Sequence, residues 1–467
     1  MQKFLNQIYL KSPLFIQNLF INIYGLKREL NRHGGAFKKH VAFLEKTQYY
    51  PSEKLKELQL NLLKDFLIHC YENVPYYHDL FDKYKFDPKK ITQISDIKKL
   101  PILTKETLRK NIHLLVPKNY KKKDFLEFHT SGTTGKSLKI FYTKDCFRRH
   151  QAFLERQRRW AGVKAGDRVA TFTGRIIVSD SETKIFWRYN FWGKQLYFST
   201  YHLHQENIKY YVEKLEEFDP IIIEGYPSAI YLISKWLIEN NYNHKIRPKA
   251  ILTTGETLLD YQKELIEEVF KVRTYNYYSS SEGAPFISQC EKGNYHLNIE
   301  SGIFEILDEN GNEIHEENKI GQLVVTSFDT KGTPLVRYAI GDSVITSNES
   351  CSCGRNFPLV KKIIGRVDDM LYTRERGYIG RLSPAIKAFP NSVIQVQMVQ
   401  NSIDIIDLFI VPDKQKFKDE HLNQVIKEIK KRTGNSVQIN THFVDHIPTG
   451  PNNKYRLTIR NFNPEQS

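Results

Sequence analysis

The sequence predicts an α/β fold, with a large N-terminal domain built on mainly parallel sheets and a small α+β domain following it. Three observations carry that expectation. Short runs rich in β-branched and aromatic residues alternate with helical segments, the texture of strand and helix units laid in turn. Past Gly365 this texture gives way to a shorter pattern of two strands and a helix. A chain of 467 residues with 40% apolar content also exceeds what one compact core organises.

The helical N-terminal segment, residues 1–50, opens with Phe4, Leu5, Ile8, Tyr9, Leu14, Phe15, Leu19, Phe20, Ile21, Ile23 and Tyr24, broken by Asn6, Gln7, Lys11, Gln17, Asn18 and Asn22. No unbroken span reaches transmembrane length, and the interruptions argue against a secretory signal. The reading is a helix packed on the main body, with a helix resting on a membrane surface as the alternative. Leu58, Leu62, Leu63, Phe66, Leu67 and Cys70 recur at three- and four-residue steps until Val74-Pro75-Tyr76-Tyr77. A second helix is expected over residues 207–218, and strands over 168–173, 221–224, 249–253, 272–277 and 321–326. The domain cut falls at residues 366/367, giving domains 1–366 and 367–467; strands near 393–399 and 404–411 and a helix over 418–432 follow it.

The 69 basic and 53 acidic residues give a formal charge of +16, spread along the chain, which favours an anionic ligand or surface. No zinc-finger spacing, RNA-recognition signature or basic heptad region accompanies it, so nucleic acid is not expected. Five cysteines are too few and too unevenly placed for a disulfide framework, and a cytoplasmic protein is the expectation.

Between the apolar runs 125–128 and 138–142 lies His129-Thr130-Ser131-Gly132-Thr133-Thr134-Gly135-Lys136-Ser137. Glycines let backbone N–H groups approach an anion, and hydroxyls and a Lys add donors, so the loop suits a nucleotide phosphate. Only Thr133 and Thr134 separate Gly132 from Gly135, which excludes a Walker A loop. A plain hairpin loop is the competing reading. Thr253-Thr254-Gly255-Glu256 ends a strand and precedes a helix, the position of a pocket at the carboxyl end of a sheet. Tyr275-Asn276-Tyr277-Tyr278-Ser279-Ser280-Ser281-Glu282-Gly283 sets aromatics able to stack on a purine beside a carboxylate able to bind magnesium. Arg337-Tyr338-Ala339-Ile340-Gly341-Asp342 offers an acceptor for two ribose hydroxyls. Gly365-Arg366-Val367-Asp368-Asp369 sits at the domain cut, and Pro448-Thr449-Gly450-Pro451-Asn452-Asn453-Lys454 puts a Lys on a Pro/Gly-rich loop.

Taken in this order, the motifs resemble those of the adenylate-forming acyl ligases: acyl-CoA synthetases, peptide-synthetase adenylation domains and luciferases. The similarity runs from about Leu55 to Ile459. Val74-Pro75-Tyr76-Tyr77, Leu100-Pro101-Ile102-Leu103-Thr104-Lys105 and Gly380-Arg381-Leu382 are similar to the phenylacetate-CoA ligase branch, especially its CapK-like members linked to capsular polysaccharide loci. The resemblance implies an N-terminal adenylation domain and a mobile C-terminal domain. It assigns Thr130 and Ser131 to Lys136 to the β- and γ-phosphates of ATP, and Gly255, Glu256 and Tyr278 to the adenine. Ser281 and Glu282 would serve phosphate and Mg2+, Asp342 the ribose and Arg366 the nucleotide. Asp368 would be the hinge and Lys454 the catalytic cation, with Glu282 and Arg366 counted beside it as catalytic. Two departures stand out: no second Lys or Arg lies between the loop glycines, and Pro-Asn-Asn-Lys stands where relatives often have Gly-Gly-Lys. Gly225-Tyr226-Pro227-Ser228 resembles a loop on the acid's side of the site.

Cys290, His296, Cys351 and Cys353 form a Cys-x5-His and a Cys-x-Cys pair, the donor set of a closed structural Zn2+ site. Unrelated reduced thiols are the alternative; Cys70 and Cys146 read as packing residues.

The expected activity is ATP-dependent activation of a carboxylic acid as acyl-adenylate, then transfer to an acceptor in cell-surface polysaccharide assembly. Coenzyme A is one acceptor; an amine or sugar is the other, as in joining an amino acid to the carboxylate of a uronic acid or sugar nucleotide. A non-catalytic nucleotide-binding scaffold is the reading from another class, opposed by Glu282, Asp342 and Lys454.

Overall fold

The structure, a computed structural model, describes residues 8–129, 138–179, 182, 184–366, 370–375, 377–379, 382, 392–448, 455–462 and 464. The chain opens on helices α1 (Leu14–His33), α2 (Phe37–Thr47), α3 (Ser52–Asn73) and α4 (Pro75–Lys83). Val74, restrained by the following proline, is extended at φ −112° and ψ 109°, so α3 stops there. Pro75 then occupies the first turn of α4, where its missing N–H costs nothing, and the same proline that ends one helix starts another. Helix α5 (Lys105–Lys110) begins at Thr104, whose Oγ1 accepts the Thr107 N–H at 3.2 Å.

Strands β1 (Phe125–His129) and β2 (Lys139–Thr143) pair antiparallel ahead of α6 (Lys144–Trp160). There follow β3 (Val169–Thr173), β4 (Trp187–Asn190), β5 (Gln195–Ser199), α7 (Ile208–Phe218), β6 (Ile222–Gly225), α8 (Pro227–Glu239), β7 (Ala250–Thr253), α9 (Asp260–Phe270) and β8 (Thr274–Tyr278). The next stretch comprises β9 (Ile287–Gln289), β10 (Tyr295–Leu297), β11 (Gly302–Leu307), β12 (Ile320–Ser327), β13 (Leu335–Thr346) and β14 (Leu359–Arg366). Strands β3 to β14 make one sheet of twelve, in the order β11-β12-β13-β14-β10-β9-β8-β7-β6-β3-β5-β4. Pairing is parallel from β5 through β3, β6 and β7 to β8, and antiparallel from β8 to β11. The parallel part buries both faces, with Phe172, Leu196, Ile223 and Ile251 packed among Tyr211, Leu215, Ile230 and Ile266 of the crossover helices. The antiparallel part packs beneath α3 and α4 through Leu63, Phe66, Leu67, Tyr77 and Phe81. Each such side chain removed from water contributes roughly 1.5–3 kcal/mol. Cys70 and Cys146 are buried in this second core and packing is their role; burial pushes both thiols up.

The chain continues through β15 (Leu371–Thr373), β16 (Gly377–Ile379), β17 (Val393–Ser402), β18 (Ile405–Pro412), α10 (Asp419–Thr433), β19 (Gln438–Phe443) and β20 (Thr458–Arg460). Their main sheet runs β19-β18-β17-β20, with Val425 and Ile429 of α10 buried against Val396, Met398, Ile406 and Leu408. Leu259, just before α9, belongs to this same apolar cluster, so the C-terminal unit seats on the loop that leaves β7.

Helix α1 packs on the main body. Asn22 Nδ2 donates to Tyr189 O at 3.2 Å, its Oδ1 accepts the Phe191 N–H at 2.9 Å, and Arg188 Nε donates to Gln17 Oε1 at 2.9 Å.

Candidate functional site

The carboxyl ends of β6, β7 and β8 deliver the residues that the motifs single out. Gly225 closes β6 at φ +143°, where a Cβ would stand 1.9 Å from Phe172 O, so only glycine lets β6 and β3 approach there. Thr254, Gly255 and Glu256 follow β7, and the turn carrying Ser281 and Glu282 follows β8. Ser281 is exposed, whereas Glu282 is 5% exposed, with its Oε1 3.4 Å from Lys105 Nζ. Gly283 holds this turn at φ +91°; a Cβ there would meet Thr330 Cγ2 at 2.4 Å and the Tyr142 hydroxyl at 2.6 Å. Burial, reinforced by Glu282 and Asp329, pushes the Tyr142 phenol well above its ordinary range, so it stays neutral beside the carboxylate.

Asp342 lies on β13, and the Tyr278 hydroxyl donates to its Oδ2 at 2.6 Å. Across the ladder Asp342 is in register with Arg366, the last residue of β14; the Arg366 side chain lies outside the described residues. Glu256 is a junction, its Oε2 accepting the Ser228 N–H at 3.2 Å and its Oε1 the Tyr455 N–H at 2.7 Å. Tyr455, the neighbour of Lys454, is itself anchored by its hydroxyl on Val396 O. The structure therefore brings Glu256, Tyr278, Glu282 and Asp342 to one margin of the sheet. Thr130, Ser131, Gly132, Thr133, Thr134, Gly135, Lys136, Asp368 and Lys454 lie outside the described residues.

Lys105 is a residue the sequence left without a role. Leu103 bridges β13 at Tyr338, with Leu103 N–H on Arg337 O at 2.8 Å and Ala339 N–H on Leu103 O at 2.9 Å. Arg337 pins the same segment by forking onto Glu305 at 2.8 and 3.0 Å and donating to Leu100 O at 2.5 Å. The Thr104 cap then starts α5 with Lys105 facing Glu282. The Arg of the Arg-Tyr-x-x-Gly-Asp motif is thus a positioning residue, and the Leu-Pro-Ile-Leu-Thr-Lys motif is the signal that held Lys105.

A cavity of about 400 Å³ opens beside these residues, lined by Thr254 and Tyr277, the chain neighbours of Gly255 and Tyr278. Gly225 and Tyr226 of the expected acid-side loop line it too, and α1 closes it with Arg28 and Arg32.

Away from this margin, Cys290 at the end of β9, His296 on β10 and Cys351 and Cys353 before β14 offer ligand atoms all within 4.8 Å of one another. Cys290 Sγ lies 3.6 Å from Cys351 Sγ, and Cys353 Sγ 3.4 Å from His296 Nε2. Tetrahedral zinc ligands spaced by ordinary Zn–S and Zn–N bonds stand about 3.8 and 3.5 Å apart, so the set fits that ion. The first separation is too long for a disulfide. Burial, with Arg355 and Arg156 adding, pulls His296 down to about 4 and keeps the imidazole neutral, as a ligand must be. Burial pushes Cys290 up to about 12. Burial also raises Cys351, but the Asn294 amide at 3.1 Å and neighbouring donors lower it further, and the net direction is down.

A family model described as the CapK C-terminal domain matches residues 371–461, the segment from β15 past β20. The chain is 36% identical over 465 residues to Protein CapK of Staphylococcus aureus, covering 98% of this chain and 99% of that one. It is 26% identical to a phenylacetate-coenzyme A ligase of Thermus thermophilus, over 79% of this chain and 84% of the other. Among solved structures, a 2-hydroxyisobutyryl-CoA ligase in the postadenylation state shares the fold with a TM-score of 0.71 at 17% identity, over 89% of this chain and 92% of that one.

Proposed function

The chain belongs to the CapK family, in the phenylacetate-CoA ligase branch of the adenylate-forming enzymes, and from that premise we propose that it joins a carboxylic acid to AMP at the expense of ATP and passes the acyl group to an acceptor. The observation that carries this reading is the convergence of Glu282, Tyr278, Asp342 and Glu256 on one sheet margin, with Tyr455 delivering the chain next to Lys454.

A carboxylate oxygen attacks the α-phosphorus of ATP, the α–β phosphoanhydride bond breaks and pyrophosphate leaves. The acceptor then attacks the acyl carbon and AMP departs with the bonding pair. Tyr278 offers an aromatic face to the adenine, and Asp342 turns from the Tyr278 hydroxyl to the ribose hydroxyls. Ser131 to Lys136 grip the β- and γ-phosphates, and Lys454 neutralises charge as it grows on the phosphoryl oxygens. In this reading Glu282 would hold Mg2+, which when bound would offset phosphate charge. Coenzyme A is the acceptor favoured by the branch's ligases; an amine or sugar acceptor in capsule assembly is the alternative that kinship with CapK keeps open. The Cys/His cluster holds structural Zn2+ that ties β9 and β10 to the loop before β14. Pyrophosphate release across a panel of acids, with and without coenzyme A and amines, is the test; no release from any acid, or wild-type adenylation by Lys454→Ala, would overturn the reading.

A membrane surface is a further partner in this reading, because α1 is amphipathic in the inverted sense. Gln17 and Gly25 are buried, while Phe15, Leu19, Ile23 and Leu30 are 72, 59, 61 and 61% exposed, with Phe191 and Trp192 exposed as well. No helix among the described residues is long and apolar enough to cross a membrane. An outward apolar stripe on a protein of charge +16 suits an anionic lipid face. Co-sedimentation with vesicles containing anionic lipid should fall several-fold in Leu19→Ser/Ile23→Ser; binding unchanged by those substitutions would remove this partner.

A further inference from the structure

The cavity that α1 closes is lined by Arg28, Arg32 and Arg175, against a single carboxylate, Glu224. That carboxylate is already taken, since Arg158 Nη2 donates to Glu224 Oε2 at 2.8 Å. Glu29, the acid nearest along α1, is taken as well, by His33 at 2.7 Å. Among the described residues none of the three arginines makes a salt bridge with an acid; Glu224 and Glu29 act on Arg28 and Arg32 only through space. Arg28 rests on the neutral Gln195 Oε1 at 3.3 Å and on the Tyr197 hydroxyl. Arg28 and Arg175 both lie over the Tyr197 ring, at 5.6 and 5.5 Å from its centroid. Arg32 Nε is buried without any hydrogen bond. Hydroxyls of Thr171, Thr173, Thr254, Tyr197 and Tyr277 belong to the rest of the lining.

We infer that this cavity receives the acid to be adenylated and selects one that carries a second anionic group, a carboxylate or a phosphate, which the guanidinium groups of Arg28, Arg32 and Arg175 bind. The inference rests on the adenylating function proposed above and names its substrate class. Chemistry requires the second charge. The carboxylate that attacks ATP gives up its own charge to the anhydride, so a simple monocarboxylic acid would leave the arginines unpaired once the acyl-adenylate forms. An aryl or alkyl acid would also set apolar surface against guanidinium and hydroxyl groups, stripping them of water without replacing it. A planar guanidinium fork, by contrast, matches a carboxylate or phosphate two bonds at a time. The present electrostatics agree. Burial and the like charges of Arg32 and Arg175 pull Arg28 down to about 9, and burial lowers Arg32 from its ordinary value, as expected of cations gathered without their anion.

The test compares matched acids in pyrophosphate release: malate with 3-hydroxybutyrate, succinate with butyrate, and 3-phosphoglycerate with glycerate. At least one dianion should exceed its monoanionic partner about 100-fold in kcat/KM, and the pairs separate a second carboxylate from a phosphate. Arg32→Ala, which removes no hydrogen bond or ion pair seen among the described residues, should shrink that ratio to below about 10-fold; Arg175→Ala, on an exposed loop, provides a second variant that spares the core. Monoanions at parity with dianions, an unchanged ratio in both variants, or a variant effect confined to the KM of coenzyme A would overturn the inference while leaving adenylation standing. Phenylglyoxal labelling of Arg28, Arg32 and Arg175, read by mass spectrometry, needs no turnover. Protection by the dianions and not by the monoanions supports the inference even if no acid releases pyrophosphate, and absence of protection by any dianion refutes it.

Discussion

Asp342 illustrates how much a single acceptor decides at this site. Its Oδ2 takes the Tyr278 hydroxyl at 2.6 Å, so the two side chains hold each other in place. A charged acceptor contributes about 1.5–3 kcal/mol per hydrogen bond, and Asp342→Ala should therefore raise the KM for ATP roughly 10- to 100-fold with little change in the KM for the acid. An ATP–pyrophosphate exchange assay checks this, and equal effects on both KM values would remove Asp342 from the ribose. Lys105 makes the second prediction. It supplies a second cation, in addition to Lys136, since no Lys or Arg lies between the glycines of the loop, so Lys105→Ala should lower kcat for adenylation by about 10-fold or more, with Lys105→Arg recovering part of it; a variant as fast as wild type would leave Lys105 a surface partner of Glu282. Glu256, Tyr278 and Glu282 were legible because each stands at or just past a strand end within a short motif, and Asp342, inside β13, because it closes the Arg-Tyr-x-x-Gly-Asp motif. Lys105 was not, since its partner stands 177 positions away and only the bridge from Leu103 to Tyr338 brings the two together. The arginines of the cavity were hidden for the same reason: they come from α1 and from residue 175, and the fold alone sets them face to face.

At the scale of elements, the short strands β9 and β10 need help to hold their place, because three residues each make few ladder bonds. In the zinc reading proposed above the Cys/His cluster would supply it by tying them to the loop before β14; Arg355 adds Glu291 at 2.8 Å and the Trp160 ring at 4.2 Å. Purified protein should carry about one zinc per chain; Cys353→Ser should lose it and lower Tm by roughly 5 °C. Metal-free protein with an unchanged Tm would make the cluster a set of reduced thiols. Helix α6 is clamped differently. Arg156, fully buried, donates to Glu300 Oε1 at 2.7 Å, and the Thr47 hydroxyl of α2 donates to the same oxygen at 2.9 Å. Glu300→Gln leaves that guanidinium buried without its counter-charge and should cost about 3–5 kcal/mol in urea unfolding; a cost below about 1 kcal/mol would show the pair to be replaceable. The strands expected at 168–173, 221–224, 249–253 and 272–277 all form, since short runs rich in β-branched and aromatic residues between amphipathic helices announce parallel strands. β9 and β10 were invisible, because runs of three residues lie below what periodicity resolves and their partners are fixed by the ladder.

At the scale of the whole chain, both half-reactions have to be served by one set of contacts between the large unit and the C-terminal sheet. Among the described residues those contacts include Tyr455 N–H on Glu256, Leu259 within the C-terminal core, Lys235 Nζ on Val393 O at 2.5 Å and Lys416 on Glu239 at 3.2 Å. They hold Tyr455, which follows Lys454 in the sequence, against the margin where Glu282 and Asp342 lie. Passing the acyl group to an acceptor requires room at the same margin, and we propose that this arrangement opens after pyrophosphate leaves. Asp368 lies outside the described residues; in the sequence it falls two residues after β14 and three before β15, and we propose it as the hinge about which backbone rotation swings the C-terminal unit. Proline fixes φ near −65° and removes that freedom. Asp368→Pro should therefore release pyrophosphate in a single burst at close to the wild-type rate while acyl-AMP accumulates, and AMP release on adding coenzyme A or the amine acceptor should slow by about 10-fold or more. Equal slowing of both steps would mean that the substitution perturbs the adenylation geometry itself, and unimpaired transfer would show that the acceptor reaches the acyl-adenylate without domain rotation.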